Sequence, residues 1–221
     1  MQSHRWIDFA LGLAAFVVLV AAFFACDDYV RAHTPLPIRL YNATSAESEI
    51  IKSHIDKIYY IARSRISILA IVESIDGISS GQCYGNTDSN SSVIIIERRY
   101  LGTSVIWHEV MHAHINNLPE RVLTEWSELG NRPPYLDDGW RAELSNPYPN
   151  QGLVSAYGRK NIHEDIASWG EAIYAKLNNF RSPLDRPLDE SNPIYGKILA
   201  WFFKWQFISR AQYDELRSKL L

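Results

Sequence analysis

The sequence predicts an α+β fold in which a small mixed sheet packs against helices. Two short runs rich in β-branched residues, 66–72 and 93–96, predict strands. The stretches with apolar residues at helical spacing are 45–63, 103–116, 161–177 and 193–208. A chain of 221 residues suits one hydrophobic core with an appendage. We therefore expect one globular domain over 45–221.

Two other stretches predict irregular structure. The segment 76–92 is rich in Gly, Ser and Asn, which predicts a loop between the two strands. The segment 130–152 is rich in Pro and Gly, which predicts a long irregular segment. Segments of that length in compact domains often carry functional residues.

The composition narrows the class of protein. Hydrophobic residues make up 47% and charged residues 21%, which is ordinary globular usage and excludes a disordered or low-complexity chain. The net charge is −3 and no long basic run occurs, so nucleic acid is not an expected partner. Because the cysteines are limited to Cys26 and Cys83, a metal site has to be built from His, Asp and Glu.

An apolar run begins near the N-terminus. Residues 9–26 contain no charged side chain, and at about 1.5 Å per residue a helix over this run just spans a bilayer core of about 30 Å. The run is compatible with an anchor, a cleaved signal peptide, a lipoprotein signal acylated at Cys26, or a buried helix. Its length and flanks favour a membrane anchor over 1–28. Thr34-Pro35-Leu36-Pro37 predicts an extended linker over 29–44.

The sequence His108-Glu109-Val110-Met111-His112 lies on the predicted helix 103–116. Residues four apart share one helix face, so the two imidazoles can bind one metal ion. Zn²⁺ accepts imidazole readily, and a catalytic zinc site has three protein ligands and one open position. Glu109 is about 100° round the helix from His108, within reach of a water molecule at that position. The motif predicts a zinc-dependent hydrolase; the alternative is a buried histidine pair without a metal.

A third ligand has to come from another segment. His114 is about 200° round the helix from His112 and faces away. A third histidine at metzincin spacing is absent, because residues 115–118 are Ile-Asn-Asn-Leu. The carboxylates on the predicted helix 161–177 remain as candidates: Glu164, Asp165 and Glu171. Asn161 and Glu164 also have the spacing of a capping box, which would turn that carboxylate towards the helix end.

The segment from Tyr157-Gly158 to Ala167 resembles gluzincin metallopeptidases of the anthrax lethal factor type, and the resemblance covers roughly 93–176. In that family a Tyr-Gly dipeptide precedes a helix whose glutamate binds zinc. The resemblance implies a zincin-like fold built around one zinc ion. The implied roles are zinc ligands for His108, His112 and Glu164, general base for Glu109, and hydrogen-bond donor to the oxyanion for Tyr157.

One position departs from the family pattern. Relatives often have a second acidic residue one turn after the ligand, where this chain has Ser168. Such a residue hydrogen-bonds a ligand and fixes its orientation. Asp165 or Glu171 is therefore expected to take over this support.

Together these observations predict a zinc-dependent peptidase that acts on proteins or peptides. The strand 93–96, just before the metal helix, is expected to form the edge of the cleft and to pair with an extended substrate. Two alternatives remain. One is a membrane-anchored binding or scaffold protein without catalysis, and the other is a zinc amidase acting on a cell-wall substrate.

We predict a single-pass membrane protein whose C-terminal domain lies in the periplasm or outside the cell, because an uncleaved N-terminal anchor most often exports the chain on its C-terminal side. Protease added to intact cells or spheroplasts should then digest the domain. Protection until the membrane is lysed would reverse the orientation. Recovery of the full-length protein in the soluble fraction after alkaline washing would exclude the anchor.

Overall fold

A computed structural model of the protein describes residues 38–75, 80–86, 91–130, 134–136, 153–155, 157–180 and 194–219. These residues all belong to one compact unit, Pro37–Leu221. The predicted anchor lies outside the described residues, as does most of the predicted irregular segment 130–152. Across the described ranges, no helix has the length and apolar character needed to cross a membrane.

The described strands form one four-stranded mixed sheet in the order β1-β2-β4-β3. The strands are β1 (Arg39–Tyr41), β2 (Ile66–Val72), β3 (Gly81–Asn86) and β4 (Ser91–Glu97). β1, β2 and β4 run parallel, and β3 pairs with β4 in the antiparallel direction. The prediction of a small mixed sheet is therefore confirmed.

Helices cover the sheet and complete the domain. In chain order they are α1 (Ser45–Ile55), α2 (Tyr60–Arg63), α3 (Val105–Ile115), α4 (Arg121–Ser127), α5 (Ile162–Leu177), α6 (Tyr195–Lys204) and α7 (Arg210–Ser218). Two short 3₁₀ turns, Arg98–Tyr100 and Tyr157–Arg159, precede α3 and α5. The predicted helices at 103–116, 161–177 and 193–208 are present with slightly shorter bounds.

The predicted single helix over 45–63 is wrong, because the chain forms α1 and α2 with a break between them. The backbone N–H of Tyr59 donates to the hydroxyl of Tyr174, 2.9 Å away, so a tertiary hydrogen bond replaces a helical one at the break. α1 begins after the N-cap residue Thr44. Thr44 and Glu47 form a reciprocal capping box, which satisfies two backbone N–H groups that the helix leaves without partners.

The predicted loop over 76–92 is also wrong in part, because it contains β3 and the start of β4. Backbone pairing with β4 along the whole of β3 overrides the low strand propensity of its glycines. The strand at the edge of the sheet therefore also differs from the predicted one. β4 lies between β2 and β3, so β3, and not the strand before the metal helix, is the edge strand on this side of the described sheet.

Two further elements differ from expectation. β1 falls inside the predicted linker 29–44 and pairs with β2, so the sheet begins earlier in the chain than 45. α7 carries no sequence prediction, and most of its residues are polar or charged. Ser209 and Gln212 form a capping box at its start, and Leu216 is its buried contact with the core.

α3 lies in the centre of the domain. Every residue of α3 except His112 is buried, including His108, Glu109 and His114. α5 packs against it closely, because a Cβ atom on Gly170 would lie 2.3 Å from Cγ of Met111 on α3. The absence of a side chain at Gly170 therefore sets how near the two helices approach.

We predict that Gly170→Ala destabilises the domain by about 1–3 kcal/mol, since the new methyl group overpacks the contact with Met111. Gly196→Ala on α6 is the matched control, because no atom lies within 4 Å of its Cβ position. Its greater helix propensity should stabilise the domain by up to about 1 kcal/mol. Urea unfolding midpoints of the two variants measure the difference, and equal midpoints would contradict the packing argument.

Candidate metal centre

Two helices bring three polar side chains together. His108 and His112 lie one turn apart on α3, and Glu164 lies in the first turn of α5. The Nε2 atoms of the two histidines are 3.2 Å apart. Oε2 of Glu164 lies 3.1 Å from Nε2 of His108 and 3.0 Å from Nε2 of His112. The three ligand atoms form a nearly equilateral triangle.

This triangle has the dimensions of one face of a tetrahedral zinc site. With zinc to nitrogen or oxygen distances of about 2.0–2.1 Å and tetrahedral angles, neighbouring ligand atoms lie about 3.3 Å apart. The observed separations are slightly shorter, and the donor set of two imidazoles and one carboxylate is one that zinc accepts. His108, His112 and Glu164 could therefore hold a metal ion.

Glu171 lies on α5 two turns after Glu164 and contacts His108. Its Oε2 atom lies 3.2 Å from Nδ1 of His108, and its other oxygen accepts a hydrogen bond from the Ser104 hydroxyl. When Nδ1 of His108 donates to Glu171, the lone pair of Nε2 points into the triangle. Glu171 therefore orients the His108 ring and, when that ring is neutral, selects its tautomer.

Asp165, the other candidate for this support, forms hydrogen bonds with other side chains, and so does Ser168 at the position that departs from the family pattern. Asp165 accepts hydrogen bonds from the Trp126 indole at 2.9 Å and from the Tyr135 hydroxyl at 3.1 Å. Ser168 bonds to the hydroxyl of Ser155. Of the two acidic residues that the sequence left open, Glu171 is the one that faces the site.

Glu164 does not cap its own helix. The side chain of Asn161 accepts a hydrogen bond from the backbone N–H of Glu164 at 3.0 Å, which caps α5. The Glu164 carboxylate instead turns towards α3. Its second oxygen, Oε1, accepts from the Tyr157 hydroxyl at 2.8 Å and from Nζ of Lys160 at 3.1 Å.

Burial and hydrogen bonding shift the pKa values of these groups in opposite directions. Burial alone would lower the pKa of His108, but its bonds to Glu164 and Glu171 outweigh burial and raise this pKa to about 10. Burial would raise the pKa of Glu164, and its bonds to both histidines reverse that shift and lower it. Burial lowers the pKa of His112. Since a histidine binds a metal as the neutral imidazole, metal binding at this site competes with protonation of the two histidines.

Glu109 is only 5% exposed and lies under the edge strand. A Cβ atom on Gly81 of β3 would lie 2.8 Å from the Glu109 side chain, so this glycine makes room for the carboxylate. Burial is the main reason that the pKa of Glu109 is raised to about 7. A carboxylate with such a pKa can accept a proton and release it near neutral pH.

Two members of the triangle, His112 and Glu164, line a cleft of about 380 Å³ between β3 and the start of α5. The residues that line the cleft are Gly81, Gln82, Cys83, Tyr84, Glu109, His112, Asn116, Tyr157, Lys160, His163 and Glu164. The volume lies within the range of about 300–1,000 Å³ typical of ligand sites. Burial and the nearby Glu109 raise the pKa of the Cys83 thiol to about 12, so this thiol is protonated at neutral pH.

The structure brings together the side chains singled out in the sequence. His108, His112 and Glu164 meet, and Glu109 and Tyr157 line the same cleft. His114 faces away, with its Nε2 atom 2.9 Å from the carbonyl oxygen of Trp205, as its helix position predicted. Sequence reasoning missed Lys160, because this residue lies just before Asn161, the N-cap of α5, and spacing on a helix face gives no signal for its contact with Glu164.

Comparisons with known proteins find a similarity to a solved structure. No protein-family model matches the chain, and no curated protein matches it. The fold is similar to a crystal structure described as "a putative zinc-binding metallo-peptidase from Bacteroides caccae", with 16% sequence identity and a TM-score of 0.49. The similarity covers 88% of this chain and 87% of that chain. The metal and the activity in that description are those of the neighbour.

We predict that Glu171→Gln weakens zinc binding about 10- to 100-fold, because His108 loses the charged partner that orients it. The matched control is Ser168→Ala on the same helix, which removes a bond to Ser155 and leaves zinc affinity unchanged. Competition with a chromophoric chelator at fixed pH measures both affinities. Equal affinities for Glu171→Gln and the wild-type protein would show that Glu171 does not support the site.

Proposed function

We propose that the protein is a zinc-dependent peptidase in which His108, His112 and Glu164 hold the ion. The observation that carries this proposal is the triangle of possible ligand atoms at a cleft that His112 and Glu164 line. A purely structural zinc site is closed by four protein ligands, whereas a catalytic site keeps one position open. A group of three possible ligands next to an open cleft therefore supports catalysis over the scaffold alternative.

A zinc ion bound there would act as a Lewis acid that activates water at neutral pH. Glu109 accepts a proton as the water oxygen adds to the carbonyl carbon of the peptide bond. Tyr157 donates a hydrogen bond to the oxyanion that develops on the carbonyl oxygen. Glu109 then passes the proton to the amide nitrogen, the carbon–nitrogen bond breaks, and a carboxylic acid and an amine are released.

An extended peptide is the substrate that this cleft suits best. β3 is an edge strand of the described sheet, and Gly81, Gln82 and Tyr84 of this strand line the cleft. An edge strand offers backbone N–H and C=O groups to a peptide that adds to the sheet. Backbone hydrogen bonds of this kind do not depend on the side chains of the substrate. The edge strand therefore supports a peptide as the class of substrate and favours no particular peptide sequence.

We predict that Glu109→Gln keeps the zinc ion and lowers peptide hydrolysis about 10²- to 10⁴-fold, because the amide cannot accept the proton. His108→Ala and His112→Ala should instead lose the bound zinc itself. Metal analysis and hydrolysis of a peptide library by the three variants separate these effects. Full turnover by a zinc-loaded Glu109→Gln protein would contradict the proposed role of Glu109.

A further inference from the structure

Lys160 lies beside the ligand carboxylate and the tyrosine at the same time. Its Nζ atom is 3.1 Å from Oε1 of Glu164 and 5.4 Å from the centre of the Tyr157 ring. The Tyr157 hydroxyl is 2.8 Å from the same Oε1 atom. The two donors therefore share one oxygen of Glu164, while the other oxygen, Oε2, faces the histidines.

Glu164 and a substrate oxyanion would compete for the one hydrogen of the Tyr157 hydroxyl, and Lys160 can supply a second donor. The Tyr157 hydroxyl has one hydrogen to donate, so it cannot hold Oε1 of Glu164 and stabilise a substrate oxyanion at once. An ammonium group has three hydrogens, so Lys160 can keep its bond to Oε1 when Tyr157 turns to the substrate. Without that bond, Oε1 would be left without a donor next to a metal ion and could bind the ion as well.

We propose that Lys160 is a positioning residue that keeps Glu164 a one-oxygen ligand and thereby releases Tyr157 to the substrate. This inference rests on the proposed function for the role of Tyr157. The position of Lys160 supports it, since Lys160 lies just before Asn161, the N-cap of α5, and Glu164 lies in the first turn of that helix. The Lys160 side chain is 34% exposed and that of Glu164 is 10% exposed, so the contact lies at the cleft wall and is partly shielded from water.

The kinetic test compares Lys160→Met with the conservative Lys160→Arg. In Lys160→Met, Tyr157 is the remaining donor of the pair and stays on Glu164. We expect kcat to fall about 10-fold or more with KM nearly unchanged, as for an interaction realised in the transition state. Lys160→Arg keeps a cation with several donors and should restore most of kcat. A rise in KM without a change in kcat would overturn the inference, because Lys160 would then bind substrate directly.

The second measurement does not depend on activity. Visible absorption of the Co²⁺-substituted protein reports the coordination number of the metal, which rises when Glu164 binds through both oxygens. Tyr157→Phe and Lys160→Met should each keep the wild-type spectrum, because one donor still holds Oε1. The double variant should lose intensity in the visible bands while keeping one equivalent of metal. A double variant with the wild-type spectrum would overturn the inference.

These two measurements separate the inference from the proposed function. If the zinc-loaded wild-type protein cleaves no peptide, the proposed function fails, and the Co²⁺ spectra of the four proteins still decide whether Lys160 holds Glu164. If Glu109→Gln abolishes peptide hydrolysis but Lys160→Met has wild-type kcat, the function stands and the inference fails. Thermal unfolding of each variant checks that all of them are folded.

Discussion

The central constraint on this structure is the burial of several ionisable side chains between two packed helices. His108 and Glu109 of α3 and Glu164 and Glu171 of α5 are all less than 9% exposed. A buried charge is costly unless it is paired and hydrogen-bonded. Each histidine of the pair faces a carboxylate, and Glu171 also accepts from a hydroxyl on the turn before α3. The surrounding packing therefore has to hold each buried charged side chain next to its partner.

Glycines at two contacts allow the elements to pack closely enough for these side chains to meet. Gly170 lets α5 approach α3 at Met111, and Gly81 lets the edge strand cross directly over Glu109. The first contact sets the distance between α3 and α5, and the second covers the buried carboxylate with backbone rather than with a side chain. The antiparallel edge strand then forms one wall of the cleft, and the start of α5 forms the opposite wall. The fold therefore confines the reactive groups to one open side.

Sequence patterns predicted the features that depend on residues close together in the chain. The spacing of His108 and His112 predicted a shared helix face, and the strand at 66–72 was predicted with its observed bounds. The missed features depend on tertiary partners. β3 is a strand because β4 pairs with it, despite its glycines, and the helix over 45–63 breaks where Tyr174 binds the backbone of Tyr59. Glu171 could be chosen over Asp165 only once the packing of α5 on α3 was known.

The proposed binding of a zinc ion by two imidazoles and one carboxylate can be measured by X-ray absorption at the zinc K edge. This coordination predicts two imidazole nitrogens and oxygen ligands at about 2.0–2.1 Å in a tetrahedral site. A sulfur ligand at about 2.3 Å would contradict it, because the zinc would then be bound by a cysteine such as Cys83 in the same cleft. The absence of imidazole scattering would contradict it as well.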